Sequence, residues 1–183
     1  MNTWNWILAS LLILGGAGAV HAEEPFETFD VDPTKRWEYV ADTVMGGVSS
    51  GALSFESEDL DSYARLAGTV STANNGGFIQ FRHLLATPLS KGAEGLRLRV
   101  RGNGEVYFVH VRTKGTRLPW HYYQAQFETT ANWTEIRLPW SAFKPSASLL
   151  RDTPAAGKIK SVGVVAYGRD HSAKIDVSEV DFF

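Results

Sequence analysis

The segment from Leu96 to Arg112 reads LRLRVRGNGEVYFVHVR and gives the clearest indication of the fold. Apolar and polar side chains alternate on both sides of its central GNG, and this period of two is typical of half-buried β-strands. Gly and Asn tolerate the positive φ angles that tight turns require, so Gly102-Asn103-Gly104 is predicted to join two strands. The segment therefore indicates β-structure in which each strand has one apolar and one polar face.

Short alternating runs of the same kind follow one another after Ala22, separated by Gly, Asn, Pro and Ser clusters, and no long stretch has a helical period. The predicted strands are Trp37–Val40, Gly51–Glu56, Tyr63–Val70, Gly77–Leu84, Gly95–Arg101, Glu105–Arg112, Tyr122–Glu128, Thr134–Leu138, Ile159–Tyr167 and Ala173–Phe182. About ten short strands predict an all-β fold, a two-sheet antiparallel sandwich. Parallel-sheet enzymes are disfavoured because their crossovers need helices.

The composition excludes several classes of function. The chain has 183 residues, with 18 Lys and Arg against 20 Asp and Glu, so it lacks the basic excess that holds a nucleic-acid backbone. It has no cysteine, which excludes disulfides, thiolate metal ligands and a cysteine nucleophile. The hydrophobic fraction of 44% is typical of a folded globular protein.

Residues 1–22 have the pattern of an export signal. An apolar run extends from Ile7 to Val20, and Val20-His21-Ala22 has the small-x-small pattern of a signal-peptidase site. The run is shorter than the roughly 20 residues of a membrane-spanning helix. An uncleaved anchor, which would be the protein's one membrane contact, stays open because no Lys or Arg precedes the run. Cleavage leaves residues 23–183 as a single domain, periplasmic or secreted.

Alternation separates an apolar face from a polar face. The apolar face is predicted to form the core and comprises Ile79, Phe81, Leu96, Leu98, Val100, Tyr107, Val109, Val111, Tyr123, Ala125, Phe127, Ile136 and Leu138. The opposite face is polar and includes Gln80, Arg101 and His110. Its other members are the residues that we expect to bind a partner: Arg82, Arg97, Arg99, Arg112, Tyr122, Gln124 and Gln126, with Trp120 at the margin. Planar side chains with several donors suit carboxylates, sugars or peptide groups.

Arg97, Arg99 and Arg101 occupy alternate positions of one predicted strand. Their charges project on one side at a spacing of about 7 Å, so they repel one another unless they are paired or screened. Two interpretations stay open. In the first, acids such as Glu128 and Glu135 complete a surface salt-bridge ladder; in the second, the donors stay free for a ligand that carries carboxylate or amide groups.

The segment Asp42–Gly51 reads DTVMGGVSSG and contains the hydrolase pattern G-x-S-x-G. That pattern needs a helix after the serine, whereas the following residues are predicted to form a strand. A serine hydrolase centred on Ser49, completed by Asp170 and His171, is therefore the most distant alternative.

A structural role is predicted for this segment instead. Asp42 and Ser49 bond loop backbone, Met45 fills a gap in the core, and Gly46 and Gly47 occupy positions where a side chain does not fit. Asn75, Gly76 and Gly77 of the turn Asn74-Asn75-Gly76-Gly77 are assigned a structural role of the same kind.

The sequence offers no metal or cofactor motif. His83, His110, His121 and His171 lack the spacing of ligands on one element, so they do not indicate zinc. Acids cluster near both ends of the predicted domain: Asp30, Asp32, Asp176, Glu179 and Asp181. Solvated carboxylates are favoured there, and a calcium ion near Asp30 or Asp181 stays open.

Several segments together carry a resemblance to a known family. They are Trp37 followed by DTVMGGVSSG, NNGGF at Asn74–Phe78, LRLRVRGNGEVY at Leu96–Tyr107, Tyr123-x-Ala125-x-Phe127, Trp133, LPWSAF at Leu138–Phe143 and Ser161-x-Gly163. From about Trp37 to Phe183 the chain resembles the complex I intermediate-associated protein 30 family. The resemblance implies a galactose-binding-like jelly roll without catalytic residues, and mitochondrial members act as assembly chaperones for respiratory complex I.

The predicted leader limits what the resemblance implies. An export signal stands where a mitochondrial member has an Arg-rich transit peptide, which indicates a bacterial periplasm, whereas complex I assembly takes place largely elsewhere. The sequence therefore predicts a non-catalytic exported module without cofactor that binds a protein partner or assembly intermediate. A carbohydrate-binding module is the alternative, since Trp120 could stack on a sugar.

We predict cleavage after Ala22, because the apolar run is short and is followed by a signal-peptidase pattern. Intact-mass analysis of the exported protein should give a chain that begins at Glu23. A membrane-bound species whose mass retains residues 1–22 would show an anchor instead.

Overall fold

The computed structural model describes residues 25–183, and the predicted leader lies outside the described residues. Eleven strands make up most of this part of the chain: β1 Trp37–Ala41, β2 Ser50–Glu58, β3 Asp61–Val70, β4 Phe78–Leu84, β5 Gly95–Gly102, β6 Val106–Thr113, β7 Tyr123–Glu128, β8 Thr134–Pro139, β9 Lys144–Pro145, β10 Ile159–Tyr167 and β11 His171–Phe182. Short 3₁₀ helices lie at Pro33–Lys35, Asp42–Met45, Ala73–Asn75, Trp140–Ala142 and Ala156–Lys158. Within residues 25–183, no helix combines the length and hydrophobicity needed to span a bilayer.

The strands form two antiparallel sheets that pack face to face. Sheet I has the strand order β1-β4-β10-β6-β7-β9, and sheet II has the order β2-β3-β11-β5-β8. All ten predicted strands are present with ends within a few residues of the prediction. The additional strand, β9, has only two residues, which is too short to show alternation.

The core between the sheets consists of the predicted apolar face. Every residue of that face is buried except Ile136, which is half-buried against the core. The hydroxyl group of Tyr107, a fully buried core residue, is satisfied: it donates its hydrogen to Asn103 and accepts the backbone N–H of Lys174. Alternation therefore predicted the inward side of β4, β5, β6, β7 and β8 correctly.

The prediction of one continuous polar face is wrong. Strand β5 pairs with β8 and β11 in sheet II, whereas β6 pairs with β7 and β10 in sheet I. The turn at Gly102-Asn103-Gly104 therefore carries the chain from one sheet to the other, so the outward side chains of β5 and of β6 point to opposite sides of the sandwich.

Asp42 joins the loop after β1 to the turn before β4. Its carboxylate is fully buried and accepts four hydrogen bonds: two from Ser49, through N at 3.0 Å and Oγ at 2.5 Å, and two from the backbone N–H groups of Gly77 at 2.5 Å and Phe78 at 3.2 Å. Burial raises the pKa of Asp42, but these donors outweigh it and hold the pKa below its ordinary value. The predicted structural role of Asp42 and Ser49 agrees with this geometry.

Two glycines leave room for this carboxylate. A Cβ on Gly47 would lie 2.4 Å from Cγ of Asp42, and a Cβ on Gly76 would lie 2.4 Å from its Oδ2. Gly46 has open space around it but takes a φ of +91°, which L side chains rarely adopt. The prediction for Met45 is wrong, because its side chain is 59% exposed and fills no gap in the core.

We expect Gly47→Ala to lower the free energy of unfolding by about 3 kcal/mol, because the methyl group displaces the Asp42 carboxylate from its buried donors. The matched control is Gly46→Ala, which should cost about 1 kcal/mol from backbone strain alone. Urea unfolding measures both values. Equal losses in the two variants would contradict the role given to the carboxylate.

Candidate binding groove

A groove with a volume of about 580 Å³ runs along the outer face of sheet I. Most of its walls come from strands β4 and β6, from the 3₁₀ segment that follows β1, and from the loop that leads into β7. Its lining residues are Val40, Val44, Met45, Asn75, Gly76, Phe78, Gln80, Arg82, His110, Arg112, Pro119, Trp120, Tyr122, Ser161, Gly163 and Tyr167. We call this cavity the sheet I groove.

The floor of the sheet I groove is the central strand β10, where the outward side chains are small. Gly163 pairs with Arg82 on one side and His110 on the other, and Ser161 pairs with Arg112. Strands two apart in a sheet are separated by about 9.6 Å, so the longer side chains of β4 and β6 stand on either side of a low floor. A Cβ at Gly163 would lie 3.2 Å from Oε1 of Gln80, which shows how little room the floor has.

One wall of the groove is a cluster of rings. The His110 and Tyr122 rings stack with centroids 4.1 Å apart and an angle of 13° between their planes, and Tyr167 meets His110 edge-on at 5.5 Å. The Tyr122 hydroxyl donates to that of Tyr167 at 3.3 Å. Burial raises the pKa of Tyr122 above its ordinary value, so this wall is uncharged at neutral pH.

His110 is held neutral in this wall. Burial lowers its pKa to about 4. The side chain of the facing Gln124 acts on the ring as a hydrogen-bond partner and opposes this shift. The buried Nε2 of His110 and Oε1 of Gln124 nevertheless lack a well-aligned hydrogen bond to any described residue, which is uncommon for buried polar atoms in folded proteins.

Arg112 ties the rim of the groove to the sheet. Its Nη2 donates to the backbone carbonyls of Leu118 at 2.8 Å and Thr116 at 3.3 Å, which fixes the loop that carries Trp120. Its Nε is buried and has no partner among the described residues. Burial lowers the pKa of Arg112, and the charge of Arg82 lowers it further.

Exposed apolar side chains flank the groove. Val44 and Met45 project from the 3₁₀ segment that Asp42 anchors, and they are 73% and 59% exposed. Trp120, on the rim held by Arg112, is 61% exposed. Large apolar side chains left in water on both sides of a cavity mark a surface that another molecule covers.

The structure divides the predicted binding residues into two groups. Arg82, Arg112, Trp120 and Tyr122 line the sheet I groove. Gln124 and Gln126 lie on β7, on the same outer face as His110 but outside the groove lining. Arg97 and Arg99 lie on the outer face of sheet II and take no part in it.

Sequence reasoning missed part of the groove. Gly163 and Ser161 entered only as part of the family resemblance, and Tyr167 was not singled out. Strand β10 reads IKSVGVVAY, and it is apolar on both faces, so alternation does not reveal which of its residues face outward. Gly163 lies between the long polar side chains of Arg82 and His110, and this arrangement can be recognised only when the strand pairing is known.

Arginines on sheet II are paired within the chain. Arg97 lies 2.8 Å from Glu179, 2.7 Å from Asp181 and 3.7 Å from Glu135. Arg99 pairs with Asp61 at 2.8 Å, and Arg101 with both Glu58 and Asp176. The salt-bridge ladder is thereby the correct interpretation of this row. Glu135 is one of its acids, as predicted, whereas Glu128 is not, because it belongs to β7 of sheet I.

The acids near the chain ends are mostly occupied by these arginines. Asp176 is buried between Arg65 and Arg101, so the expectation of a solvated carboxylate is wrong there. Asp32 is exposed and pairs with Lys35. Within residues 25–183, no group of three or more acidic, histidine or cysteine side chains is placed to hold a metal ion.

Ser49 lacks the surroundings of a nucleophile. Its side chain is 1% exposed, donates to Asp42, and accepts the backbone N–H of Ser71 at 2.9 Å. Asp170 accepts hydrogen bonds from Thr72, and Nδ1 of His171 contacts the carbonyl oxygen of Arg169. No hydrogen bond in the described part of the chain joins the three residues of the triad alternative.

The sequence matches the family described as complex I intermediate-associated protein 30 over residues 26–177. Comparison with curated protein sequences returns no match.

Several solved structures of similar fold are carbohydrate-binding modules. A family 11 module of a cellulosomal cellulase of Clostridium thermocellum aligns with a TM-score of 0.72 at 13% identity, over 88% of this chain and 94% of that one. The same kind of module, in complex with a β-1,3-1,4-mixed-linked tetrasaccharide, gives 0.66 at 13% identity, over 81% and 88%. A family 30 module gives 0.54 at 12% identity, over 75% and 92%. The likeness is one of fold and confirms the predicted jelly-roll sandwich of the galactose-binding-like class.

We expect two arginines of sheet II to differ in their contribution to stability. Arg65→Met removes a partner of the buried Asp176 and should cost about 3 kcal/mol. Arg99→Met breaks a pair in which both side chains are more than a third exposed, 37% and 44%, and should cost less than about 1 kcal/mol. Thermal and urea unfolding measure the difference, and equal costs would contradict it.

Proposed function

The chain belongs to the complex I intermediate-associated protein 30 family, and we propose that it is a non-catalytic module that holds an extended segment of a partner protein in the sheet I groove. The observation that carries the proposal is the combination of exposed apolar anchors with unsatisfied planar polar groups in one cavity.

The anchors are of the kind that protein interfaces use. Interface centres are enriched in Trp, Tyr, Met and Arg, and their most important side chains insert into desolvated pockets. Met45 and Trp120 stand on opposite walls, with Tyr122 and Arg112 between them. A groove with such residues along both walls suits an extended chain, whose side chains alternate between the two walls and whose backbone meets the polar floor.

A role without catalysis is supported by the surroundings of the reactive side chains. Ser49, the candidate nucleophile, is bonded to Asp42 beneath the loop, and His110 is stacked on Tyr122 at a low pKa. The groove lining itself contains no carboxylate that could serve as a general acid or base.

A carbohydrate is the second candidate ligand. The stacked rings of His110 and Tyr122, with Tyr167 beside them, resemble the aromatic platforms that sugar rings pack against. The solved modules of the same fold, one of them in complex with a tetrasaccharide, support this candidate by analogy of fold. Exposed Met45 and Val44 favour the protein segment, since aliphatic side chains offer a sugar ring little.

The leader predicted at residues 1–22 supports a place of action outside the cytoplasm. A periplasmic or secreted module of this kind would meet proteins in transit or under assembly. The family name suggests a role in the assembly of a respiratory complex. Identification of the partner in the following experiment tests that role.

Site-specific photocrosslinking tests the groove. We expect a benzoylphenylalanine residue in place of Met45 to crosslink a defined peptide of one protein in an envelope extract of the source organism. The same residue in place of Leu60, which is fully exposed at the β2–β3 turn of sheet II, is the matched control and should give no such product.

We expect Trp120→Ala to weaken binding of the identified peptide by at least about tenfold, because buried aromatic anchors dominate such interfaces. Leu149→Ala, at another exposed apolar residue, should leave binding unchanged, and the melting temperatures of both variants should stay within a few degrees of the parent. Crosslinking to glycan alone, or retention by a mixed-linked β-glucan gel that Trp120→Ala abolishes, would overturn the protein proposal in favour of the carbohydrate.

A further inference from the structure

We infer that the sheet I groove recognises a carboxylate, supplied by an acidic side chain of the bound peptide segment, through Arg112 and Arg82. The inference rests on the proposed function, because it names the chemical group that the same groove selects.

The charge of the groove lining is one-sided. Its sixteen residues include two arginines and no aspartate or glutamate, although the chain as a whole has a net charge of −2. Electrostatic complementarity of this kind favours an anionic ligand and disfavours a cationic one.

Arg112 differs from the arginines of sheet II in its partners. Arg97, Arg99 and Arg101 each lie within 3 Å of an acidic oxygen. Arg112 pairs with no acid among residues 25–183, and its hydrogen bonds go to two neutral backbone carbonyls. Nε is buried without a partner among the described residues in Arg112 and in Arg97 alike, so the difference between them lies in the missing acid. A half-buried guanidinium with unused donors gains most from a charged acceptor.

Arg82 lies diagonally across the low floor from Arg112. Across β10, Gly163 separates Arg82 from His110, and the next outward residue, Ser161, pairs with Arg112, so only small side chains lie between the two arginines. Burial lowers the pKa of Arg112, and the charge of Arg82 lowers it further. An anion seated over Ser161 and Gly163, between the two guanidinium groups, would turn this repulsion into two attractions.

The charge balance favours a carboxylate over a phosphate. Arg82 already pairs with Glu38 at 2.6 Å, so the two arginines leave one positive charge without a counterion inside the protein. A carboxylate carries one negative charge and presents two oxygens in the plane that a guanidinium fork matches. A phosphate carries nearly two charges at neutral pH and would leave one of them unbalanced.

The neighbouring walls favour a peptide as the carrier of this carboxylate. Met45 and Trp120 border the floor, so residues next to the acidic one can be apolar. The polar side chains of Asn75, Gln80 and Ser161 belong to the same lining and offer hydrogen bonds to peptide groups. The preferred ligand is therefore an extended segment with an aspartate or glutamate flanked by apolar residues.

Arginine side-chain NMR tests the inference directly on the full exported chain. N-acetyl-glutamate N-methylamide is titrated at constant ionic strength, with N-acetyl-glutamine N-methylamide as the isosteric neutral probe. We expect a saturable shift of the Nε–Hε resonances of Arg112 and Arg82 with the glutamate probe and none with the glutamine probe. Arg97, paired on sheet II, is the internal control and should not move.

Two variants separate binding from loop structure. Arg112→Gln should lower the affinity for the glutamate probe by about tenfold or more, because a charge-assisted pair is lost. Arg112 also donates hydrogen bonds to the carbonyls of Thr116 and Leu118, so its replacement could disturb the loop. Arg82→Gln is the second variant because it leaves those hydrogen bonds intact. It should lower the affinity for the glutamate probe to a smaller extent. Arg97→Gln should not change the affinity.

Several outcomes would overturn the inference. Equal shifts with both probes, a shift that does not saturate, or tighter binding of inorganic phosphate would each contradict carboxylate recognition. Tighter binding of an oligogalacturonate than of a glutamate-containing peptide of similar length would assign the carboxylate to a glycan. Failure of the two proposals is distinguishable. A crosslinked peptide at Met45 without the glutamate-specific shift leaves the proposed function standing and removes this inference. The shift without a crosslinked peptide removes the proposed function, and with it the peptide as source of the carboxylate, and leaves only carboxylate binding by the two arginines.

Discussion

The buried carboxylate of Asp42 is the interaction on which both the sandwich edge and the groove depend. Its four hydrogen bonds join the loop after β1 to the turn before β4, two segments that are adjacent in space and distant in sequence. A buried carboxylate without donors is costly, so neither segment moves without the other. Because Val44 and Met45 stand on the segment that Asp42 holds, a residue buried beneath the surface determines the shape of one wall of the groove.

The two outer faces of the sandwich are built from similar side chains and differ in how those side chains are paired. On sheet II, acids from β2, β8 and β11 neutralise the arginines of β3 and β5, and Arg99 and Arg101 also lie over the ring of Trp133. On sheet I, the strand between the polar side chains offers Gly163 and Ser161 instead of acids. The arginines of the first face are paired with acids, although Nε of Arg97 is buried without a partner there, whereas Arg112 on the second face lies in a larger cavity with no acid paired to it among the described residues. Binding is therefore proposed for the second.

The predicted site was partly correct because alternation assigns a side chain to a face without assigning the face to a sheet. Arg82, Arg112 and Tyr122 were recognised as outward residues and do line the groove. Arg97 and Arg99 were recognised as outward by the same rule and lie on the other side of the molecule. Tyr167 and Gly163 were missed because β10 has no polar side chain from Val162 to Ala166 and therefore shows no alternation there. Met45 was placed in the core because its apolar character alone does not show which way a loop turns.

Local patterns in the sequence are enough to predict ten strands, the turns between them, the inward residues of β4 to β8 and the structural role of Asp42 and Ser49, because each follows from local alternation or from the turn chemistry of Gly, Asn and Asp. Those patterns leave open which strands share a sheet, and hence which polar residues meet. The physical reason is that the hydrogen-bond partners of a strand lie far along the chain: β5 pairs with β8 and β11, and β6 with β7 and β10, although only three residues separate β5 from β6.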